Sequence, residues 1–184
     1  RFKKNLLNMA SNDDNTKVRA AAIEVLSKQE DSKSYEELFE SATKEMSYAV
    51  AGSALDALAL VNTPKALITA RTLEKESKNE LLQSVMRTYA TLGDHQEFSF
   101  FEQRLQTTTN YDLYITAAYF SEYLKKQSTN TAANGSAMII EASTKGPDWA
   151  KYYLNIMVED LIEHHKSKSE NKKEVQKKFD EARN

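Results

Sequence analysis

The 184-residue chain has no cysteine, which excludes disulfide staples, a thiol nucleophile and thiolate metal sites. Only four glycines and two prolines occur, too few for a turn-rich β architecture. No stretch approaches the ~18 uninterrupted apolar residues of a membrane-spanning helix, so no span is expected, and the start carries no basic-then-apolar leader. An excess of one charge is lacking too: 25 basic side chains against 27 acidic ones leave a net charge of −2, with no overall attraction to nucleic acid or anionic lipid. No nucleic-acid partner is therefore expected. Catalytic signatures are missing as well: there is no G-x-S-x-G elbow, no glycine-rich phosphate loop and no dinucleotide fingerprint. The chain begins at Arg1 instead of Met, which reads as a piece of a longer protein.

What remains is a helix-forming composition, 40% hydrophobic and 28% charged, and a helical period throughout. From Tyr35 the apolar residues fall at Leu38, Phe39, Ala42 and Met46, then at Val50, Ala51, Ala54, Leu55, Leu58 and Val61. Asn62 and Pro64 predict one helix ending near Val61 and another beginning near Pro64. The stripes continue through Leu67, Ala70 and Leu73, then Leu81, Leu82, Val85, Met86, Tyr89 and Leu92, with Gly93 as a C′ residue and Asp94 as the next cap. Phe98, Phe101 and Leu105 precede a polar turn at Thr107–Asn110, and Leu113, Tyr114, Ala117, Ala118, Ser121 and Leu124 follow it. After a polar linker at Gln127–Asn130 come Ala133–Ser143 and a stripe of Trp149, Tyr153, Ile156, Met157 and Leu161. A Gly146-Pro147-Asp148 break, a helix stop followed by a Pro and an N-cap, separates the two.

Ile23-Glu24-Val25-Leu26, Leu55-Asp56-Ala57-Leu58 and Met86-Arg87-Thr88-Tyr89 recur at about 31 to 32 residues. Each period holds one helical hairpin, which cannot bury its apolar face alone and must stack on its neighbours. About four or five such units fit the chain, the last ones irregular. The expected architecture is all-α, an α-α superhelix built as a solenoid of antiparallel hairpins over 1–165. Residues 166–184 form a charged C-terminal helix or tail with the thin stripe Val175, Phe179 and Ala182, weakly docked or frayed.

The residues able to carry chemistry do not converge. His164 and His165 are adjacent, so their rings diverge by about 100° on a helix and cannot chelate as an H-E-x-x-H pair does; they read as a solvated helix end, and His95 as a first-turn surface residue. The acidic pairs Asp13-Asp14, Glu36-Glu37 and Glu159-Asp160 sit on helix starts or exposed faces, where dipole pairing accounts for them. The aromatics Phe98, Phe100, Phe101, Tyr111, Tyr114, Tyr119, Phe120 and Tyr123 exceed what one stripe buries. They form either a thick core or an exposed docking surface, and Trp149, Tyr152 and Tyr153 admit the same two readings. Asn134-Gly135-Ser136 has the form of an N-glycosylation acceptor, a triplet common by chance.

The segment Asp13-Asp14-Asn15-Thr16-Lys17-Val18-Arg19-Ala20-Ala21-Ala22-Ile23-Glu24-Val25-Leu26 resembles the second-helix signature of HEAT repeats: an acidic residue before the helix, then Val-Arg, Ala and Leu at helical spacing. The period is shorter than the ~40–47 residues of regular HEAT units, so the likeness is HEAT-like. Val18–Ser27, Ser47–Leu58, Tyr89–Asp94 and Phe100–Glu102 also look like the C-terminal helical region of bacterial aminopeptidase N-type zinc metallopeptidases. In that family the catalytic domain carries H-E-x-x-H and G-x-M-E-N motifs, none of which is present here.

The resemblance implies a non-catalytic segment that closes over the active-site chamber of a parent enzyme and shapes peptide access. It needs no cofactor of its own, the zinc lying in the parent's catalytic domain; its partners are that domain of the same polypeptide and passing peptide. The other reading is a free-standing HEAT-like scaffold for protein–protein interaction. Aligning the units places Glu24, Asp56 and Arg87 at one position of three successive second helices, a polar ladder that either faces a partner or is simply solvated. Because every stripe follows the helical period, a far-ultraviolet circular dichroism spectrum of the purified chain is expected to be helical; a strand-dominated spectrum would refute this fold class.

Overall fold

Alternating apolar stripes, side-chain caps and the near-absence of glycine and proline produce eleven α-helices among the described residues, 2–183 of a computed structural model. They form two units, one ending at Leu92 and the other beginning at Gly93. No strand occurs among the described residues, so the chain is all-α, as its periodicity requires.

The first unit holds α1 (Phe2–Asn12), α2 (Thr16–Ser27), α3 (Glu36–Ala42), α4 (Tyr48–Val61), α5 (Thr63–Leu73) and α6 (Asn79–Leu92). Its starts are chemically marked: Asn15 accepts the Lys17 amide, Ser47 the Val50 amide and Asn62 the Lys65 amide, each satisfying a donor that the helix itself leaves unpaired. The second helices α2, α4 and α6 pack side by side, while α1 covers α2, α3 covers α4, and α5 lies against α4 and α6. This is the stacked-hairpin arrangement of HEAT-like repeats. Ile23, Leu26, Leu55, Leu58, Met86 and Tyr89, the positions that define the period, are all buried in it, each large apolar side chain contributing roughly 1.5–3 kcal/mol.

Small residues set the spacing of that layer. Ala20 and Ala22 on α2 and Ala51, Gly52, Ala54 and Ala57 on α4 are buried, so the helices approach closely. Arg19 explains the Val-Arg pair: its guanidinium donates to the Asp13 carbonyl at 2.6 Å and to Glu45 at 2.7 Å, tying the turn before α2 to the turn before α4. Lys65 plays the corresponding part between α3 and α5, donating to Glu36 and Glu40 at 2.7 Å each. Those two hydrogen bonds push its ammonium well above the usual lysine range.

The second unit contains a 3-10 turn at His95–Glu97, then α7 (Phe98–Thr107), α8 (Asn110–Leu124), α9 (Thr129–Thr144), α10 (Asp148–Ser167) and α11 (Lys172–Ala182). Asp94 starts it as expected, in a capping box where Glu97 accepts the Asp94 amide at 2.8 Å. Helices α8, α9 and α10 pack on one another, α7 adds to α8 and α9, and α11 docks on α9 and α10. Val175 and Phe179 of α11 are buried, so the charged C-terminal stretch is a seated helix.

Four local expectations fail. Met46 is 99% exposed: α3 ends at Ala42, and the turn before α4 throws Met46 off the stripe. Gly93 does not close α6 in a left-handed cap, since no described glycine has positive φ; Asp94 starts the next turn in an extended conformation instead. Asp148 is not an N-cap but the first residue of α10, behind Pro147, and no side-chain cap bond forms. The inward stripe of α10 is Ala150, Leu154, Val158, Leu161 and Ile162, while Trp149, Tyr153 and Ile156 point outward.

Gly52 sits at a close approach between α4 and α6. A Cβ there would lie 3.0 Å from the Glu80 carbonyl oxygen, 3.1 Å from its carbon and 3.1 Å from Ser84 Oγ. Gly52→Ala gains about 1 kcal/mol of helix propensity but forces backbone apart, an overpacking cost of about 1–3 kcal/mol. Thermal unfolding is expected to show a lower Tm for Gly52→Ala and a larger drop for Gly52→Leu; a raised Tm in both would mean that the α4–α6 contact does not set the spacing.

Candidate functional site

The polar ladder is built on the α2–α4–α6 layer, where the three helices present the same turn outward. Arg87 donates to Asp56 Oδ2, and Ser84 Oγ donates to the same oxygen at 3.1 Å. Burial is the largest influence on the Asp56 carboxyl and raises it above the ordinary aspartate value, against the pull of Arg87 and Ser84 and with a small push from Glu24. Glu24 instead turns along its own helix to Lys28 Nζ, 2.6 Å away, and that hydrogen bond holds its carboxyl below the usual range. The structure therefore brings Asp56 and Arg87 together and leaves Glu24 beside them as a separate ion pair.

The aromatic residues divide between a buried core and an exposed surface. Phe101, Phe120 and Tyr123 are fully buried and stack within 5.2–6.1 Å of one another, with Phe98 edge-on to Phe120 at 5.4 Å. Tyr123 donates its hydroxyl to the Asp94 carbonyl, and burial pushes its phenol up to about 12. Tyr111, Trp149, Tyr152 and Tyr153 are instead exposed. The sequence held a signal of this split: apolar residues crowd 149–158 of α10 too densely for one face.

The histidine pair is not a free solvated end: both rings bond to backbone. His165 is buried, and its Nε2 donates to the Leu124 carbonyl at 3.1 Å; His164 Nε2 donates to the Lys125 carbonyl at 3.0 Å. A carbonyl only accepts, so both rings carry their hydrogen on Nε2. They cap the C-terminus of α8, whose last carbonyls have no partner within the helix. No local pattern reveals this, because the partners lie 39 and 41 residues away in sequence.

One or both members of each acidic pair have structural work. Glu36 accepts from Lys65 and Asn62, Asp160 pairs with Lys125, Glu159 with Arg183, and Asp13 accepts the Asn15 amide. No group of three His, Cys, Asp or Glu side chains placed to hold a metal occurs among the described residues. Ser136 of the acceptor triplet is buried inside α9, donating to the Ala133 carbonyl at 2.7 Å.

Burial, the largest cause, lowers the His165 pKa below the ordinary imidazole value; the Leu124 hydrogen bond opposes it, while His164 and Lys168 add to it. Its neutral packing is therefore intact above about pH 6.5. As pH falls through that value the unfolded chain takes up the proton first, so stability falls toward the lowered folded value. The parent is expected to lose more Tm than His165→Gln, which keeps a donor but cannot titrate, between about pH 7 and 5; parallel pH profiles would remove His165 as the cause.

Residues 3–69 match the family model for HEAT repeats, a stretch that runs from α1 into α5. Neither a curated protein nor a solved structure matches the chain. With the side-by-side α2–α4 packing and the Val18-Arg19 pair at the start of α2, the matched stretch is a HEAT-like helical repeat.

Proposed function

We propose that this chain is a non-catalytic helical-repeat scaffold that binds a protein partner on the α2–α4–α6 layer, and that the partner is the catalytic domain of its own polypeptide, a zinc aminopeptidase. In this reading the segment closes over the active-site chamber and limits which peptides enter. The observation that carries the scaffold reading is the layer itself: three helices packed side by side, presenting Glu24, Asp56 and Arg87 outward from a core of alanine and leucine. Repeat arrays use such extended faces for binding. The aminopeptidase parent is supported by the phrases Val18–Ser27, Ser47–Leu58 and Tyr89–Asp94, which are packing motifs. A free-standing scaffold is the alternative, and an H-E-x-x-H motif encoded upstream separates the two, its absence removing the aminopeptidase.

The direct test replaces Glu24, Asp56 and Arg87 together by Ala. Both members of the Asp56–Arg87 pair leave at once, so no half-buried charge stays behind unpaired; Lys28, which loses Glu24, is exposed, and exposed pairs contribute only about 0–1 kcal/mol. The Tm of the isolated chain should hardly move, while peptide turnover or docking to the catalytic domain in the longer polypeptide changes. Unchanged turnover and docking would reduce the ladder to ordinary solvated surface.

A further inference from the structure

Helix α10 is apolar on two sides. Ala150, Leu154, Val158 and Leu161 face the core of their unit. Trp149, Tyr152, Tyr153 and Ile156, at i, i+3, i+4 and i+7, face outward at 43, 64, 49 and 47% exposure. Packing requires only the first stripe. The first turns of α8 extend the second: Tyr111, 63% exposed, stacks on Tyr114 with ring centroids 6.1 Å apart, and Tyr114 lies 6.1 Å from Trp149 and 6.0 Å from Tyr153. Tyr152 stands 5.3 Å from Tyr153 at 76°, and Tyr114 meets Tyr153 at 75°. These edge-on rings make the surface ridged instead of flat.

Size limits what covers it. Aromatic side chains of ~150–250 Å² at these exposures leave on the order of 500 Å² uncovered, the scale of a functional patch on a single chain. A stable partner of standard size needs about 800 Å² per side. A second copy meeting the patch through the same surface therefore buries too little, and a short segment fits better. Such a small contact favours a ligand that loses little conformational freedom on binding.

Hydrogen bonding and charge narrow the chemistry. Trp149 offers an indole N–H, a donor only, and the tyrosines offer phenolic hydroxyls. Asp112 and Asp148 sit in the first turns of α8 and α10, where the positive helix starts offset them, and Asp112 also acts on Arg104, so charge singles out neither an acidic nor a basic ligand. A proline-rich segment answers every condition. Its polyproline II helix is preformed, proline supplies carbonyl acceptors with no N–H to satisfy, and its ridged apolar surface seats between aromatic rings.

We propose that the Tyr111–Tyr114–Trp149–Tyr152–Tyr153 surface is a docking site for a proline-rich, polyproline II segment of a partner protein. It is independent of the α2–α4–α6 face and of any parent enzyme. Trp149 is the chain's only tryptophan, so its fluorescence reports on this surface without labelling. Titrating a decaproline peptide is expected to give a saturable blue shift, at least tenfold tighter than an equally long Gly-Ser peptide. Tyr111→Ala and Tyr152→Ala, both at exposed positions, should each weaken binding at least fivefold with an unchanged circular dichroism spectrum. No saturable shift with decaproline overturns the proposal, as does equal binding of an arginine-rich peptide. A concentration-dependent blue shift without peptide, accompanied by dimer in sedimentation, overturns it in favour of a second copy of the chain.

Discussion

Close side-by-side packing of α2, α4 and α6 is the contact on which the first unit depends. Each hairpin carries an apolar stripe that only a neighbour can cover, and the neighbours reach one another because alanine and Gly52 keep the helix surfaces thin. The larger residues Ile23, Leu26, Leu55, Leu58 and Tyr89 are fully buried around that layer, which α1, α3 and α5 cover. Arg19 and Lys65 add polar ties across successive turns, but exposed or half-exposed pairs contribute little on their own. Their part is to fix register between hairpins whose apolar contacts are individually non-directional.

The second unit solves the same burial problem with larger rings. Phe101, Phe120 and Tyr123 stack where the first unit uses alanine, and Gly135 of α9 leaves room for Leu124 and Phe120 against it. Helices α8 and α10 run in the same direction, since Tyr114 meets Trp149 near their starts and His164 and His165 meet Lys125 and Leu124 near their ends. The two ends therefore differ in chemistry: one is an aromatic surface, and the other is a helix terminus capped by two imidazoles.

The functional reading follows from what these side chains are already doing. Asp13, Glu36, Glu159 and Asp160, which in sequence resemble acid–base candidates, are engaged in ion pairs or turn hydrogen bonds, and the adjacent histidines hold backbone carbonyls. The α2–α4–α6 ladder lies at the surface as ion pairs, and α8 and α10 expose a surface of aromatic rings.

Sequence alone determined the all-α class, the hairpin period and the inward positions of α2, α4 and α6, because helical spacing and a cap such as Asp94 act within a few residues. The alignment of Glu24, Asp56 and Arg87 was likewise legible from the period. Which two of them pair was not, because that depends on how α4 and α6 rotate against each other. Tertiary structure alone decided which of the two apolar stripes of α10 faces inward, since both follow a helical period and only contact with α8 and α9 selects between them. It alone turned His164 and His165 from a solvated end into caps, through carbonyls 39 and 41 residues distant. Local periodicity shows that a face is apolar; only the neighbours that pack on it decide whether that face is core or surface.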